Sequence, residues 1–440
     1  MEDPDLGNRA PPRQVSRPVT DEPIDDDVLP PSLTAGRDAW GMAMRHRDLI
    51  QRARLVTQQV NAHLEQLLDL VADEREAVVC PLGSWTLATR LGTWATNEPE
   101  PVAEEDLSQV ADWASTHPEL RSVFAVWLRG ATSADPMVGT LTGNSTVDQE
   151  TVDTWARVAT DGLIPEMPVR LREETAGVAA HAALLRTAWT DSFDLVHRPV
   201  IPATDRWLPE GQWLRRTTGD WDIGVVTGAK PRSSWRKKAQ DTVEASWARI
   251  RGGTTDIWLC CSPGGDLSGR QLAVLASEVA AGRATTKLGT ALAAGEWAGL
   301  VVTTERSSGP RFESPTQSWQ LCHPFDLTAL VPLESHPSFA PLIGRNLPGL
   351  QSLLHTRADV PIAVTQVSQS ARAHFDETGF EAAAVTAAVI APTAAPDFDD
   401  APPPTYETRT VATMIADGLV GFATLDRETG FVLFAGWITT

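Results

Sequence analysis

Apolar residues recur every three or four positions through Leu49, Ala53, Val56, Val60, Leu64, Leu67 and Val71, which lays one hydrophobic stripe along a long helix. The next apolar stretch, Ala77 to Cys80, is short and unbroken and reads as a buried strand. After a break at Pro81 the helical pattern returns from Gly83 to Thr96, and again from Glu104 to Thr116. Val123 to Leu128 is strand-like, Thr151 to Thr160 is helical and ends at a Gly162 suited to a left-handed cap, and strand resumes from Val178. Ahead of all this, residues 1–37 are rich in Pro, Asp and Glu and show no period, so a disordered tail is expected there.

Near the other end, Asp376 to Pro396 breaks the pattern. An acidic pair and Gly379 lead into a run of small uncharged residues that ends in the acidic, Pro-rich stretch Asp397 to Pro404. Surface loops favour polar turn formers and committed strands favour branched and aromatic residues; this run does neither. Laid out as a strand, Phe380, Ala382, Ala384, Thr386, Ala388 and Ile390 share one face, and Glu381, Ala383, Val385, Ala387 and Val389 the other. After Phe380 neither face is bulky before Ile390, so the segment has the shape to slide between two existing strands.

Glu377-x-Gly379-x-Glu381-Ala382-Ala383-Ala384-x-Thr386 resembles the hinge of the reactive-centre loop of serpins. Further motifs fall in the family's order. Ala416-Asp417, Phe422 and Thr429-Gly430-x-Val432-Leu433-Phe434-x-Gly436 are similar to its closing strand hairpin. Val152-Asp153-x-Trp155-Ala156, with Thr160, Gly162 and Ile164, resembles the end of the helix that crosses the main sheet. Ala182 to Phe193, with Arg186 and Trp189, resembles the strand that runs into the top of that sheet, and Cys80-Pro81-Leu82-Gly83 stands where the family has Ser-Pro-x-Ser. Ser370 and Leu419 depart from the family's usual Lys and Pro. The resemblance spans roughly residue 45 to the C-terminus and is weakest between about 205 and 310.

The resemblance implies an α+β fold of three β-sheets with about eight or nine helices, a single domain over residues 38–440, and an exposed reactive-centre loop at about 377–404. It implies a suicide inhibitor of a serine endopeptidase. The enzyme's serine attacks a loop carbonyl, an acyl-enzyme forms, and the freed hinge inserts as an extra strand in the central sheet. The hinge so implied is Glu377, Thr378, Gly379, Phe380, Glu381, Ala382, Ala383, Ala384, Val385 and Thr386. The family's loop length, counted from Glu377 and Gly379, puts the reactive bond between Thr393 and Ala394, with Ile390, Ala391 and Pro392 setting specificity. These residues are small and apolar, and no Lys or Arg lies between Glu381 and Pro396, so the expected partner is an elastase-like or subtilisin-like serine protease. Trp189 stands where the loop first enters the sheet, with a packing role.

At Phe380 inhibitory members of the family usually carry Ser or Thr. Forcing a phenylalanine into a close-packed interior costs about 1–3 kcal/mol, less than the ladder of new hydrogen bonds returns, which is on the order of 10 kcal/mol. Insertion is therefore expected to finish but to run slowly, which would let the protease escape. The alternative is a non-inhibitory serpin-fold binding or scaffold protein whose loop is only a substrate.

Composition narrows the partners. At 440 residues, 42% hydrophobic and 21% charged, the chain can build a large core; length alone suggests two or three domains, and the resemblance implies one. A net charge of −20 disfavours nucleic acid and anionic membranes, and no apolar run approaches the roughly 18 residues of a membrane span. Met1 to Gln14 has neither a basic start nor an apolar stretch, so a cytoplasmic location is expected. Nine dispersed histidines, with no His-Glu-x-x-His and no Gly-x-Ser-x-Gly, give no catalytic constellation; no enzyme, no cofactor and a monomer are expected. A zinc site from Cys260, Cys261, Cys322 and His323 is conceivable, but neighbours on a strand point to opposite faces, and buried free thiols are the better reading. Gly264 to Gln271 mimics a phosphate-binding loop but has Arg270 and Gln271 where Lys and a hydroxyl are needed, so it reads as a polar turn. The basic cluster Lys230 to Lys238 reads as a solvated helix start or a polyanion patch, and Asn144-Ser145-Thr146 has the glycosylation pattern.

Overall fold

The stripe that begins at Leu49 lies on α1 (Pro31–Leu70), where Ala53, Val56, Val60, Leu64 and Leu67 are buried and Val71 closes the row just past the helix end. The computed structural model describes residues 31–96, 101–131, 137–228, 242–264, 267–351, 362–383 and 405–440. Two units are distinguished, Met1–Arg47 and Asp48–Thr440, and all the sheets lie in the second. α1 reaches back to Pro31, into the stretch expected as a tail.

After β1 (Ala77–Val79), α2 (Pro81–Trp94) starts at the proline that was expected to precede it. Proline suits the first helical position because its fixed φ is helical and its missing N–H would have no partner there. Cys80 is the cap, its Sγ accepting from Gly83 N at 3.4 Å. α3 (Pro101–Thr116) follows, and α4 (Ser145–Ala159) starts well ahead of the expected Thr151. The reason is Asn144, whose Oδ1 accepts from Thr146 N and Val147 N, so the residue with the glycosylation pattern is a helix cap. α5 (Gly269–Ala280) opens on a reciprocal capping box that engages Ser268 and Gln271 of the supposed phosphate loop with each other, while Arg270 pairs with Asp69. With α6 (Pro348–Gln351) the described residues hold six α-helices, fewer than the eight or nine expected. Prolines at 165, 168, 199, 202 and 209 keep the long connections 160–176 and 197–212 in turns.

The central sheet has six strands in the order β14 (Phe325–Pro332), β15 (Ser368–Phe375), β16 (Gly379–Ala383), β4 (Gly177–Ala188), β2 (Leu120–Arg129) and β3 (Val138–Leu141), antiparallel except for β2 and β3. A seven-stranded sheet runs β1, β19 (Val432–Thr439), β18 (Leu419–Asp426), β9 (Thr255–Cys261), β8 (Thr242–Arg251), β7 (Ile223–Gly228) and β10 (Thr286–Leu288). The third sheet runs β11 (Gly295–Trp297), β12 (Leu300–Arg306), β17 (Thr408–Ile415), β13 (Thr316–Cys322), β6 (Trp213–Thr218) and β5 (Asp194–Val196). The main core holds Leu185, Ala373, Phe375 and Phe380 of the central sheet with Ile250, Leu259 and Phe422 of the seven-stranded sheet. α4 covers the opposite face of the central sheet, its Val152 and Ala156 packing with Ala125, Trp127, Val178 and Ala180.

The thiols are structural. Cys261 faces the main core and Cys260 a separate core on the other side of β9, as strand alternation requires. Burial pushes Cys261 up to about 11 and Cys322 up to about 12, which keeps them as thiols, and His323 Nδ1 is engaged with Gln212 O.

His63 of α1 and His336 pack ring to ring at 4.9 Å in the interior. His63 Nδ1 lies 3.1 Å from Ser84 Oγ and its Nε2 3.2 Å from Ser338 Oγ. Burial, and His336 beside it, pull His63 down to about 4 from its ordinary 6.5. The unfolded chain thus binds this proton more tightly, so the stability is complete above pH 6.5 and is lost as pH falls toward 4, by on the order of 3 kcal/mol. The urea midpoint is expected to be lower at pH 4.5 than at pH 7, and His63→Leu to narrow that difference. An unchanged difference in the variant would assign the pH dependence to other groups.

Candidate functional site

The segment expected to be exposed from about residue 377 is, over its first residues, already part of the central sheet. β15 ends at Phe375, and Asp376 turns the chain back on itself: its Oδ1 accepts from Thr378 N at 2.8 Å, Thr378 Oγ1 at 2.8 Å and Gly379 N at 3.0 Å, while Asp376 N donates to Gly379 O. Burial raises the Asp376 carboxyl, but these bonds from Thr378 and Gly379, with His374 beside it, outweigh burial and hold it below its ordinary value. The end of β4 clamps the turn from above. Trp189 N donates to Thr378 O and Phe193 N to Glu377 O, and Trp189 Nε1 donates to Asp376 O at 2.8 Å. The indole also lies against Phe375 at 5.1 Å, so Trp189 both packs and bonds.

From Gly379 the chain runs as β16 between β4 and β15. Gly379 pairs with Ala188 so closely that a Cβ on it would meet Thr187 O at 2.5 Å, which demands glycine. Phe380 is fully buried, opposite Thr187 on one side and Phe375 on the other, with its ring edge-on to Phe422 at 6.2 Å. Glu381 points the other way and meets Arg186 Nε at 2.7 Å; Arg186 reaches on to Asp161, which also holds Arg121. Ala382 is buried between Leu185 and Ala373, and Ala383 pairs with Leu184 and Arg372. The alternation of faces is the one read from the sequence. Ala384, Val385, Thr386, Ile390, Ala391, Pro392, Thr393 and Ala394 lie outside the described residues, as does the cluster 230–238.

Among the described residues, no strand pairs with β4 and β15 between them below Ala383. The lower halves of β4 and β15 line a cavity of about 190 Å³, bounded by Gly83 and Leu87 of α2 on the core side and by Trp155 and Ala156 of α4. In its floor His181 Nε2 lies 2.8 Å from Ser122 Oγ, and Gln369 bridges β15 to Cys80, accepting from Cys80 N and donating to Cys80 O. A Cβ on Gly83 would stand 3.3 Å from His181 Nδ1, 3.4 Å from Cys80 Sγ and 3.7 Å from Gln369 Nε2, so three residues far apart in sequence converge over it. Burial lowers His181 to about 4 and raises Cys80 to about 12, leaving both neutral.

Sequence reading named Arg186 only as part of the β4 motif, without its ion pair to Glu381, and gave no role to Asp376, His181 or Gln369. The Asp-x-Thr-Gly pattern was a usable signal for the turn, since a short carboxylate followed by a hydroxyl and a glycine favours this local bonding. The other three carry no local signal, because their partners come from distant strands.

No family model matches the sequence, and no curated protein matches it. Solved structures do. Native protease nexin-1 with heparin superposes with a TM-score of 0.57 at 12% identity, covering 89% of this chain and 100% of that one. A cleaved serpin 42Da gives 0.57 at 11%, over 89% and 98%. The mouse protein-Z dependent protease inhibitor gives 0.53 at 12%, over 90% and 99%. The three sheets and their strand order are thus the serpin fold. This chain has that fold over nearly its whole length, with Gly379–Ala383 forming a strand of the central sheet.

Proposed function

We propose that the chain is a serpin-type inhibitor of a serine protease that prefers small residues, and that it traps the enzyme by completing the strand that β16 begins. The observation that carries this reading is the seat of the segment: Gly379–Ala383 form the strand between β4 and β15, and a cavity lined by the lower halves of those strands lies beneath them. The neighbour with a protease inhibitor's name supports the same class.

Extended at the register of β16, the residues that follow would bring Ala384 between Ala183 and Ala371, both fully buried, and Thr386 between His181 and Gln369. Small side chains suit the first position, and a hydroxyl suits the second. The outward residues Val385, Ala387 and Val389 would face the side covered by α4, which accounts for their lacking charge. Phe380 has its place already, so the cost of admitting its ring is not met after cleavage and does not slow completion.

The test is to mix the purified chain with pancreatic-type elastase and with subtilisin and to run denaturing gels. A band at the summed mass that survives denaturant, and is lost in Gly379→Pro and Ala384→Pro, is expected. Cleavage near Thr393 with the protease left active would favour a serpin-fold protein whose loop is only a substrate.

A further inference from the structure

The end of β4 that clamps the Asp376 turn is itself tied down from the seven-stranded sheet. The tie is Glu119, one residue ahead of β2. Its Oε1 accepts from Thr187 Oγ1 at 2.8 Å, and its Oε2 accepts from Thr254 N at 3.0 Å, Thr254 Oγ1 at 2.8 Å and Thr255 N at 2.9 Å. Thr187 is buried on β4 opposite Phe380, and its Oγ1 accepts in turn from Gly253 N at 3.1 Å. Just past Trp189, Thr190 N donates to Arg251 O and Thr190 Oγ1 to Gly252 O. One carboxylate thus takes four donors and joins the last residues of β4 to the turn between β8 and β9. Arg427 holds that turn from its other side, donating to Gly252 O, Gly253 O and Asp256. A Cβ on Gly253 would stand 2.2 Å from Glu119 Oε1, so only glycine lets the carboxylate come this near.

We infer that Glu119 is a positioning residue of the hinge: through Thr187 it holds the end of β4, and with it Trp189 and Phe193, where they clamp the turn that seats Gly379–Ala383. The seven-stranded sheet thereby has a hold on the hinge. Thr187 Oγ1 carries the coupling, because it donates to Glu119 and accepts from Gly253. Removing that hydroxyl parts the clamp from the turn and leaves the branched shape beside Phe380 as it was. The donors on Glu119 are neutral backbone and hydroxyl groups, so the link needs acceptor geometry and not charge. In Glu119→Gln the amide oxygen can take the donors of the turn, and the amide nitrogen can donate to the Thr187 hydroxyl, which has two lone pairs. The role goes beyond the inhibitor reading and does not depend on it, since β16 stands in the sheet of the uncleaved chain.

The test is limited proteolysis of the intact full-length chain by a glutamate-specific protease, with the cuts at Glu377 and Glu381 counted by mass spectrometry. Thr187→Val is expected to raise cleavage at these two bonds roughly tenfold. Glu119→Ala should raise it at least as much, the double variant no further than Glu119→Ala, and Glu119→Gln should stay within about threefold of the wild type. A residue that only stabilises the domain keeps its bonds when the hinge opens, so its loss lowers the melting temperature and leaves these cuts unchanged. That result in Thr187→Val would overturn the role. So would cleavage at Glu305, within β12, that rises to the same rate as at the hinge, because the whole domain would then be opening. The comparison of wild type with Thr187→Val stands even where Glu119→Ala fails to fold. No target protease enters the measurement, so failure to trap an enzyme would count against the inhibitor reading and leave this one intact.

Discussion

Cleavage of the loop by a protease that prefers small residues is expected to raise the unfolding temperature of the wild-type chain by roughly 10–20 °C, and that of Ala384→Glu by almost nothing. The gain follows from the slot. Residues entering below Ala383 would add a ladder on both sides, against edges of β4 and β15 that have no partner among the described residues, at a net of roughly 0.5–1.5 kcal/mol per hydrogen bond, on the order of 10 kcal/mol in all. In a chain of this size one kcal/mol corresponds to about 1–2 °C. Glutamate at 384 would be carried between Ala183 and Ala371, both fully buried. Burying a lone carboxylate costs on the order of several kcal/mol, enough to stall the strand at its first new inward position. The uncleaved variant is expected to melt with the wild type, because β16 (Gly379–Ala383) does not include position 384. An equal gain in wild type and variant, read by calorimetry after matched cleavage, would rule out insertion at this register.

Phe380→Ala is expected to free the hinge without unfolding the domain. Truncating a fully buried phenylalanine costs about 3–5 kcal/mol when the site must stay in place. This site need not, because β16 is a short strand next to the loop and can leave the sheet as a unit. The loss should therefore appear as local opening. Cleavage by a glutamate-specific protease at Glu377 and Glu381 is expected to rise by roughly 100-fold or more, with a smaller fall in melting temperature than a fixed core site would give. Phe380→Thr should expose the same bonds and leave the yield of trapped protease unchanged, since Phe380 enters the sheet before cleavage. A higher yield with threonine would instead make the phenylalanine a brake on insertion. Cleavage that stays at the wild-type rate in Phe380→Ala would mean that the Asp376 turn and the Arg186–Glu381 pair alone hold the seat.

The resemblance to the hinge led to the right fold, and the alternation along Phe380, Glu381 and Ala382 led to the right faces, because side-chain period is a property of consecutive residues. The same holds for the buried stripe of α1 and for Cys260 and Cys261 on opposite sides of β9. Boundaries were legible only in part. Pro81 and Asn144 each open a helix where the pattern of apolar residues begins later, since a cap acts through its own hydrogen bonds and not through the stripe it precedes.

What the sequence by itself determined is therefore the set of small, alternating residues that can occupy a slot, and the glycine and aspartate that let the chain turn into it. Only the tertiary structure decided that Gly379–Ala383 already stand in the central sheet. That outcome depends on the gap between β4 and β15, on Trp189 and Phe193 holding the turn from above, and on Phe422 lying where Phe380 can meet it edge-on. These partners come from strands far apart in the chain, and the free energy of seating Phe380 exists only once they are assembled, so no local pattern of residues encodes it.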